Sequence, residues 1–349
     1  MNELSCPLPH IPPETVQLGH GSGGVLMHRL LERTILPALS SGTLREQHDS
    51  AVLELGGSAT KRLAFTTDSY VVRPLFFPGG DIGTLAVFGT VNDLAMVGAR
   101  PTWLSVSLIL EEGLPLPDLQ RVLASMKTAA DAVGISIVTG DTKVVDRGHG
   151  DGLYVNTAGV GIIEHELLIG PSSIREGDVI LLSGDLGRHG ISILAEREGL
   201  EFETTLTSDT APLHSAVLAL MEAGVRVHCL RDLTRGGLAS ALKELMFVGG
   251  LSAEIRERDI QIEPQVRGAC EMLGLDPLYV ANEGRMVVIV PPDEADRALA
   301  ILASLPVSAK SAAIGTIQKG QKGEVVLRSR LGSRRVVDML PGEQLPRIC

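Results

Sequence analysis

Two kinds of hydrophobic pattern alternate along the chain from about residue 47 onward. Short runs rich in Val, Ile and Leu, such as TWLSVSLIL and ISIVTGDTKVV, are typical of β-strands. Longer segments with apolar positions three and four residues apart, such as LPDLQRVLASMKTAADAVG, predict helices between the strands. The regular exchange of the two patterns predicts a mixed α/β protein.

Turn residues interrupt this alternation between Gly170 and Gly177, and a second strand and helix series follows directly. The chain of 349 residues is also too long for one ordinary hydrophobic core. We therefore predict four parts: an N-terminal segment with a glycine-rich loop (1–42), an N-terminal α/β domain (43–168), a C-terminal α/β domain (169–340) and a flexible tail (341–349).

Charge and composition argue against nucleic acids and membranes as partners. The formal net charge is −11 and only 3% of the residues are aromatic, whereas a nucleic-acid surface needs basic patches and stacking rings. No run approaches the ~18 apolar residues that span a bilayer. The first residues also lack the basic start and apolar stretch of a secretory signal. These features predict a cytoplasmic protein that binds neither nucleic acid nor membranes.

A glycine-rich stretch, GHGSGG, precedes the helical pattern VLMHRLLERTILPAL. It formally matches a dinucleotide-binding fingerprint, but that site needs a βαβ unit and a later acidic residue, and only a short extended piece precedes the glycines. Free amides at the start of a helix can cradle phosphate, although a plain flexible linker fits the stretch equally well. The candidate phosphate-binding residues are Gly21, Ser22, Gly23 and Gly24.

Aspartates recur among apolar or small residues at predicted strand ends or helix starts. These are Asp49, Asp68, Asp93, Asp141 and Asp232. A solitary ionised carboxylate in such surroundings is costly to desolvate, so several of them in one cleft would need cations, and the fitting ion is Mg²⁺. Each aspartate alone is more simply explained as a helix cap or a turn residue. Lys143 and Glu283 stand out similarly, yet either one could be a surface charge or part of an ion pair.

The four cysteines contain no C-x-x-C pair, which argues against a zinc site or a disulfide framework. Cys229 and Cys270 lie in apolar segments and are predicted to be buried. Cys349 is the final residue of an arm in which Pro341, Gly342 and Pro346 disfavour regular structure. Fully extended, this arm could carry the thiol on the order of 27 Å, at ~3.4 Å per residue. A frayed terminus with an incidental cysteine is the simpler alternative.

Taken together, eight segments resemble one family, the hydrogenase-maturation carbamoyl dehydratases (HypE). The segments are HGSGG, DSAVL, TTDSYVV, VNDLAMVGARP, TGDTKVV, RDLTRGGLA, ANEGR and the terminal PRIC. Most of the internal segments also suit a wider superfamily that includes aminoimidazole ribonucleotide synthetase, selenophosphate synthetase and thiamine-phosphate kinase, whereas PRIC is specific to this member. The resemblance implies a two-domain α/β fold of the aminoimidazole ribonucleotide synthetase type with a flexible C-terminal tail. It also implies a homodimer formed by the N-terminal domains, with ATP and Mg²⁺ bound between the two domains.

The same resemblance implies roles for individual residues. The metal and phosphate-site carboxylates would be Asp49, Asp68, Asp93 and Asp232. Further ATP contacts would come from the mobile loop of Gly21 to Gly24 and from Asn92, Asp141, Thr234 and Gly236. Lys143 and Glu283 would lie where the tail enters. Glu283 is the candidate base, and Lys143 would offset phosphoryl charge or orient the carboxamide.

In the family, a carbamoyl-transferring partner loads the terminal cysteine, here Cys349, and the enzyme uses ATP to convert the thiocarboxamide to a thiocyanate. The cyanide then passes to iron in a scaffold complex for [NiFe]-hydrogenase assembly. Two alternatives remain open at this point. The chain could be another ATP-dependent enzyme of the superfamily, an amide-oxygen-activating or kinase-type enzyme for which the cysteine is dispensable. It could also be a non-catalytic carrier that consumes no ATP.

Overall fold

The computed structural model describes residues 15–39, 47–55, 58–199, 206–340 and 348. The predicted features of the tail, Pro341, Gly342, Pro346 and the acceptor Cys349, lie outside these residues. Within the described residues, the chain forms two α/β units, each built on one large β-sheet.

The N-terminal unit contains a five-stranded sheet in the order β1-β2-β7-β5-β6, with a separate two-stranded ribbon, β3 and β4. Its strands are β1 (Ala51–Leu55), β2 (Ser58–Tyr70), β3 (Phe76–Phe77), β4 (Gly80–Asp81), β5 (Arg100–Glu111), β6 (Ser136–Val145) and β7 (Leu153–Ile163). The helices up to β7 are α1 (Val25–Leu30), which continues through a π-helical turn (Leu31–Ile35) into α2 (Leu36–Leu39), then α3 (Ile82–Ala95) and α4 (Leu116–Val133). Pairing is antiparallel except between β5 and β6, which are parallel.

The C-terminal unit contains a seven-stranded sheet in the order β14-β13-β10-β12-β8-β11-β9. Its strands are β8 (Val179–Leu182), β9 (Cys229–Asp232), β10 (Ser252–Arg256), β11 (Met286–Val290), β12 (Ala312–Gln318), β13 (Val325–Arg328) and β14 (Arg334–Val336). Its helices are α5 (Arg188–Glu198), α6 (His214–Glu222), α7 (Gly237–Gly249), α8 (Pro264–Leu273) and α9 (Ala295–Ala303). The strand β11 is buried along its whole length because hydrophobic cores cover both faces of the sheet.

Helix α3 is the element that brings the two units together. The helix is capped by Asp81, whose carboxylate accepts hydrogen bonds from the amides of Gly83 and Thr84 at 2.8 and 2.9 Å. Nearly every residue of the helix is buried, since it packs on β2, β7 and α4 on one side and contacts α6 of the C-terminal unit on the other. The last turn of α3 therefore faces the junction between the two units.

The structure corrects the local setting of several predicted site residues. Asp68 lies inside β2 and Asp141 inside β6, because pairing with neighbouring strands continues past both positions. Asp93 lies in the last turn of α3, not at a helix start. Asp49 precedes β1 and Asp232 ends β9, as the pattern predicts.

Candidate active site at the junction of the two units

Three aspartates from distant parts of the chain converge at the junction. Asp49 approaches from the segment before β1, Asp93 from the end of α3 and Asp232 from the end of β9. One carboxylate oxygen from each lies within 4.8 Å of the other two. All three aspartates are among the predicted metal ligands, and the fold brings them to one point.

Arg231 and Thr66 hold this cluster in place. The Arg231 guanidinium contacts the Asp49 carboxylate at 2.8 Å and Glu244 of α7 at 2.7 Å. The Thr66 hydroxyl donates to the Asp93 carboxylate at 2.8 Å. The second carboxylate oxygen of Asp49 is buried without a hydrogen-bond partner among the described residues, so one acceptor in the cluster is left for a cation or another donor.

A small cavity of about 30 Å³ opens beside the cluster. Its lining comprises Asp68, Ser69, Tyr70, Gly89, Asp93, Asp232, Thr234, Arg235 and Glu283. Gly89 has a steric role here, because a Cβ at this position of α3 would collide with the Tyr70 hydroxyl. One carboxylate oxygen of Glu283 is buried with no hydrogen-bond partner in the described part of the chain. The predicted base therefore lies at the same cavity as three of the predicted metal ligands, Asp68, Asp93 and Asp232.

Burial and mutual repulsion both act on these acids. Burial is the largest cause that raises the pKa of Asp93, Asp232 and Glu283, and neighbouring carboxylates raise each pKa further. Burial also raises the pKa of Asp49 and Asp68, although Arg231 and Arg235 oppose the shift. A site with this excess of buried acid favours a bound cation, and an all-oxygen donor set suits Mg²⁺.

The predicted phosphate loop lies against the start of α7. The Arg235 guanidinium donates to the Gly21 carbonyl at 3.4 Å. Gly23 has a φ of +74°, and a Cβ there would be 2.9 Å from the Arg235 carbonyl oxygen. The Val25 amide donates to the Leu340 carbonyl at 2.9 Å, and a Cβ on Gly24 would stand 2.5 Å from the same oxygen. The fold thus brings the glycine loop, with Ser22, beside Thr234 and Gly236.

Asn92 makes contacts that the sequence did not predict. Its side-chain amide donates to the carbonyls of Ala211 and Glu283 at 3.1 and 3.3 Å, and its carbonyl oxygen accepts from the Leu213 amide at 2.7 Å. These bonds tie α3 to the segment that carries Glu283. A contact between Asn92 and ATP stays a prediction.

Asp141 and Lys143 lie apart from the cavity. Both are on β6, the edge strand, which β7 and β5 separate from β2. They pair with each other at 2.7 Å, and their side chains are 62% and 69% exposed. Lys143 lowers the pKa of Asp141 by hydrogen bonding and charge. Neither lines the cavity that holds Glu283, and their roles stay predictions.

Several residues of the site escaped the sequence analysis, namely Thr66, Tyr70, Gly89, Arg231 and Arg235. Two of them carried a usable signal, because Thr66, Asp68 and Tyr70 alternate along β2 and so share one face of the sheet. Arg231 and Arg235 flank Asp232 and Thr234 in RDLTRGG, but only the fold reveals which acids they face.

Comparison with known proteins identifies proteins that share this architecture. Two family models match, the N-terminal domain of AIR synthase related proteins over residues 47–163 and the C-terminal domain of the same family over residues 175–328. The carbamoyl dehydratase HypE of Azotobacter vinelandii is 48% identical over 335 residues, which cover 96% of this chain and 97% of that protein. In the described part of the chain, no helix is long and apolar enough to cross a membrane.

Solved structures agree with the sequence relatives. The crystal structure of hydrogenase maturation protein HypE in complex with ATP is 45% identical, with a TM-score of 0.80 over 96% of this chain and all of that one. A chain of the HypE–HypF complex is 40% identical, with a TM-score of 0.84 over 89% of this chain and 99% of that one. These matches confirm the predicted family and the predicted two-domain α/β fold. From its matched domains and its full-length relatives, the chain belongs to the HypE carbamoyl dehydratase family of hydrogenase maturation proteins.

Proposed function

We propose that this chain is an ATP-dependent dehydratase that converts a carbamoyl group on Cys349 from a thiocarboxamide to a thiocyanate. One structural observation supports this proposal in addition to the family match. Ile348, the penultimate residue, pairs with Val72 in an antiparallel bridge. Val72 lies two residues beyond Tyr70, which lines the acidic cavity. The bridge therefore joins Ile348 to the strand that leads into the cavity wall, and this supports a tail that delivers its group to the cavity that Glu283 lines.

The reaction needs activation because an amide oxygen is a poor leaving group. Transfer of the terminal phosphoryl group of ATP to that oxygen would let it depart as phosphate, while the nitrogen loses both protons and a nitrile remains. Thiocarboxamide and ATP are consumed, and thiocyanate, ADP and phosphate are formed, so the carbamoyl oxygen ends in phosphate. Glu283 is our candidate proton acceptor, since burial and neighbouring carboxylates raise its pKa and so make the ionised carboxylate a stronger base.

The acids of the junction suit a metal that accompanies the nucleotide. Asp49, Asp93 and Asp232 would hold Mg²⁺, and Asp68 lies at the wall of the same cavity. The ion, when bound, supplies positive charge that offsets charge on the phosphates. The amides of Gly21 to Gly24 and of Gly236, with Thr234, would contact the phosphate oxygens. A HypE crystal structure in complex with ATP supports nucleotide binding by this family.

We also propose a homodimer formed through the N-terminal sheet. Strand β6 is a long edge strand, and its Val138 and Val144 side chains are 59% and 68% exposed. Such an edge is a template for pairing with a second chain. Trp103 and Phe65 extend the apolar surface across the sheet. Pairing there would also change the surroundings of Asp141 and Lys143, whose side chains are exposed in one subunit.

The partners of this reaction follow from the same proposal. The solved HypE–HypF complex supports a HypF-type protein as the carbamoyl-transferring partner. An iron-site scaffold complex would accept the cyanide for [NiFe]-hydrogenase assembly, and we expect the chain to act in the cytoplasm.

An isotope experiment tests the chemistry. Oxygen-labelled cyanate can carbamoylate the Cys349 thiol of the full chain, with Cys349→Ala as the control for other cysteines. After MgATP is added, the wild-type tail peptide should lose one labelled water, and the released phosphate should carry the label. Unlabelled phosphate with an intact carbamoyl group would contradict the proposal. Absence of any ATP consumption would favour the carrier alternative, and turnover of a free small molecule by Cys349→Ala would favour another enzyme of the superfamily.

A further inference from the structure

His189 makes the contact on which this inference depends. It is fully buried at the start of α5. Its Nε2 lies 2.6 Å from the carbonyl oxygen of Ile348, and its Nδ1 lies 2.8 Å from the Ser208 hydroxyl. The catalytic proposal above uses neither His189 nor Ser208. The two residues form a second polar site, at which His189 contacts the carbonyl of Ile348.

The hydrogen bonds define the protonation of the ring. A carbonyl oxygen can only accept, so Nε2 must carry the proton. Burial lowers the pKa of His189, which favours the neutral ring, and Nδ1 then accepts from the Ser208 hydroxyl. The Ser208 oxygen is free to accept in turn, and the Thr210 hydroxyl and amide lie 2.7 and 3.1 Å away. Every donor in this chain of contacts has an acceptor.

Apolar contacts complete the docking site. The Ile348 side chain is only 6% exposed and belongs to the same hydrophobic cluster as Tyr70, Val72 and Phe77. The Phe77 ring stands edge-on to the His189 ring, with centroids 5.6 Å apart. The site therefore recognises both the main chain and the side chain of the penultimate residue.

This docking site adjoins the acidic cavity along two segments. Val72 is two residues beyond Tyr70 of the cavity wall. On the other side, the Gly190 amide donates to the carbonyl of Ala281 at 3.1 Å, and Glu283 follows two residues later.

We propose that His189 is a positioning residue that binds the carbonyl of Ile348 and so presents the group on the terminal cysteine to the acidic cavity. The ligand of this site is the C-terminal peptide of the chain itself, recognised through its penultimate residue. Both ring nitrogens are engaged and the ring is neutral, so His189 holds the tail and transfers no proton. The binding of Ile348 by His189 does not depend on the proposed function. Only the effect of this binding on the dehydration rate rests on that function.

The accessibility of the Cys349 thiol tests the docking without ATP or a carbamoyl group. In the full chain, iodoacetamide labelling of Cys349 is followed by peptide mass analysis. Losing one hydrogen bond should speed labelling about tenfold in His189→Leu. His189→Gln should stay within about twofold of wild type because its amide N–H can replace Nε2–H. His189→Asn places its donor at the Nδ1 position, so it should behave like His189→Leu.

Two further variants separate docking from folding. Ile348→Ser removes one apolar side chain from the edge of the cluster that contains Val72 and Phe77 and leaves His189 unchanged, and labelling should rise to a similar degree. His214→Gln, a partly buried histidine on α6, is the matched control and should label like wild type. Equal labelling rates in wild type, His189→Leu and Ile348→Ser would overturn the inference. So would a His189→Gln variant that labels as fast as His189→Leu.

Kinetics then link the docking to the reaction. In a single turnover of carbamoylated protein, His189→Leu should convert the tail about tenfold more slowly with an unchanged KM for ATP. Labelling that responds as expected, without any dehydration in wild type, would remove the proposed function and leave the docking site. Normal dehydration with unchanged labelling in His189→Leu would remove the docking site and leave the proposed function.

Discussion

Asp93 and Asp232 place their carboxylate oxygens within 4.8 Å of each other, although one ends a helix of the N-terminal unit and the other ends a strand of the C-terminal unit. Burial and the charge of Asp232 raise the pKa of Asp93, and burial together with the charges of Asp49 and Asp68 raises the pKa of Asp232. Two ionised acids at this distance destabilise the junction unless a cation lies between them. The closeness of Asp93 and Asp232 is therefore explained by a role in function and not by a contribution to stability.

We expect Asp93→Asn to abolish Mg²⁺-dependent ATP turnover and to leave the protein folded. Removing a buried like charge should raise the free energy of unfolding in EDTA by on the order of 1 kcal/mol. Steady-state ATP hydrolysis and urea unfolding measure the two effects. Asp296→Asn, an exposed aspartate of α9, is the control, and normal turnover in Asp93→Asn would remove the metal assignment.

Without bound metal, the free energy of unfolding should decrease as pH rises. The raised pKa values of Asp93, Asp232 and Glu283 mean that the folded state holds these protons more tightly than the unfolded chain does. In EDTA, the free energy of unfolding should therefore fall as pH rises from about 5 to about 8, above the ordinary carboxyl pKa of about 4.

Urea unfolding across this range measures the slope. Asp93→Asn should flatten it, and Mg²⁺ should restore stability at the upper end by neutralising the ionised cluster. A free energy of unfolding that rises with pH in EDTA would contradict the assignment of raised pKa values.

The glycine loop offers a matched pair of substitutions. Gly23→Ala forces an alanine to a φ of +74° and brings its Cβ to 2.9 Å from a backbone oxygen, whereas a Cβ at Gly21 meets no described atom within 4 Å. If the loop cradles phosphate, Gly23→Ala should raise the KM for ATP about tenfold or more, and Gly21→Ala should stay within about twofold. Identical kinetics in the two variants would argue for a plain linker.

The proposed base can be tested separately from nucleotide binding. Glu283→Gln should bind ATP normally but slow the conversion of the carbamoylated tail by about a hundredfold or more, because its amide cannot accept the proton. Cys349→Ala should also bind ATP and form no product. Calorimetric titration with ATP and single-turnover mass analysis give the two readouts, and a fast Glu283→Gln variant would assign the base elsewhere.

The exposed edge of the N-terminal sheet predicts the oligomeric state. Wild type should be a homodimer by light scattering at micromolar concentration, and Val138→Glu should shift it to monomer by placing a charge in the proposed interface. Leu331→Glu replaces an even more exposed apolar residue in the C-terminal unit and should leave the dimer intact. A monomeric wild-type protein would end the interface proposal.

Local patterns in the sequence determined much of this protein. Periodicity predicted the alternation of strands and helices, because apolar spacing depends on the element in which a residue lies. The sequence predicted a strand around Asp68 and a helix around Asp93. It did not predict where in these elements the two residues lie. Strand pairing and helix packing extend elements beyond the point where a local pattern ends.

The family could likewise be identified from short motifs, since HGSGG, RDLTRGG and ANEGR keep their chemistry in contiguous residues. Contacts between distant residues depend on tertiary structure. Only the fold decided that Arg231 neutralises Asp49 and that Asp141 and Lys143 lie on an exposed edge. The contact between His189 and Ile348 joins residues 159 positions apart. No spacing rule encodes such a pair, because the packing of whole strands and helices sets the distance between them.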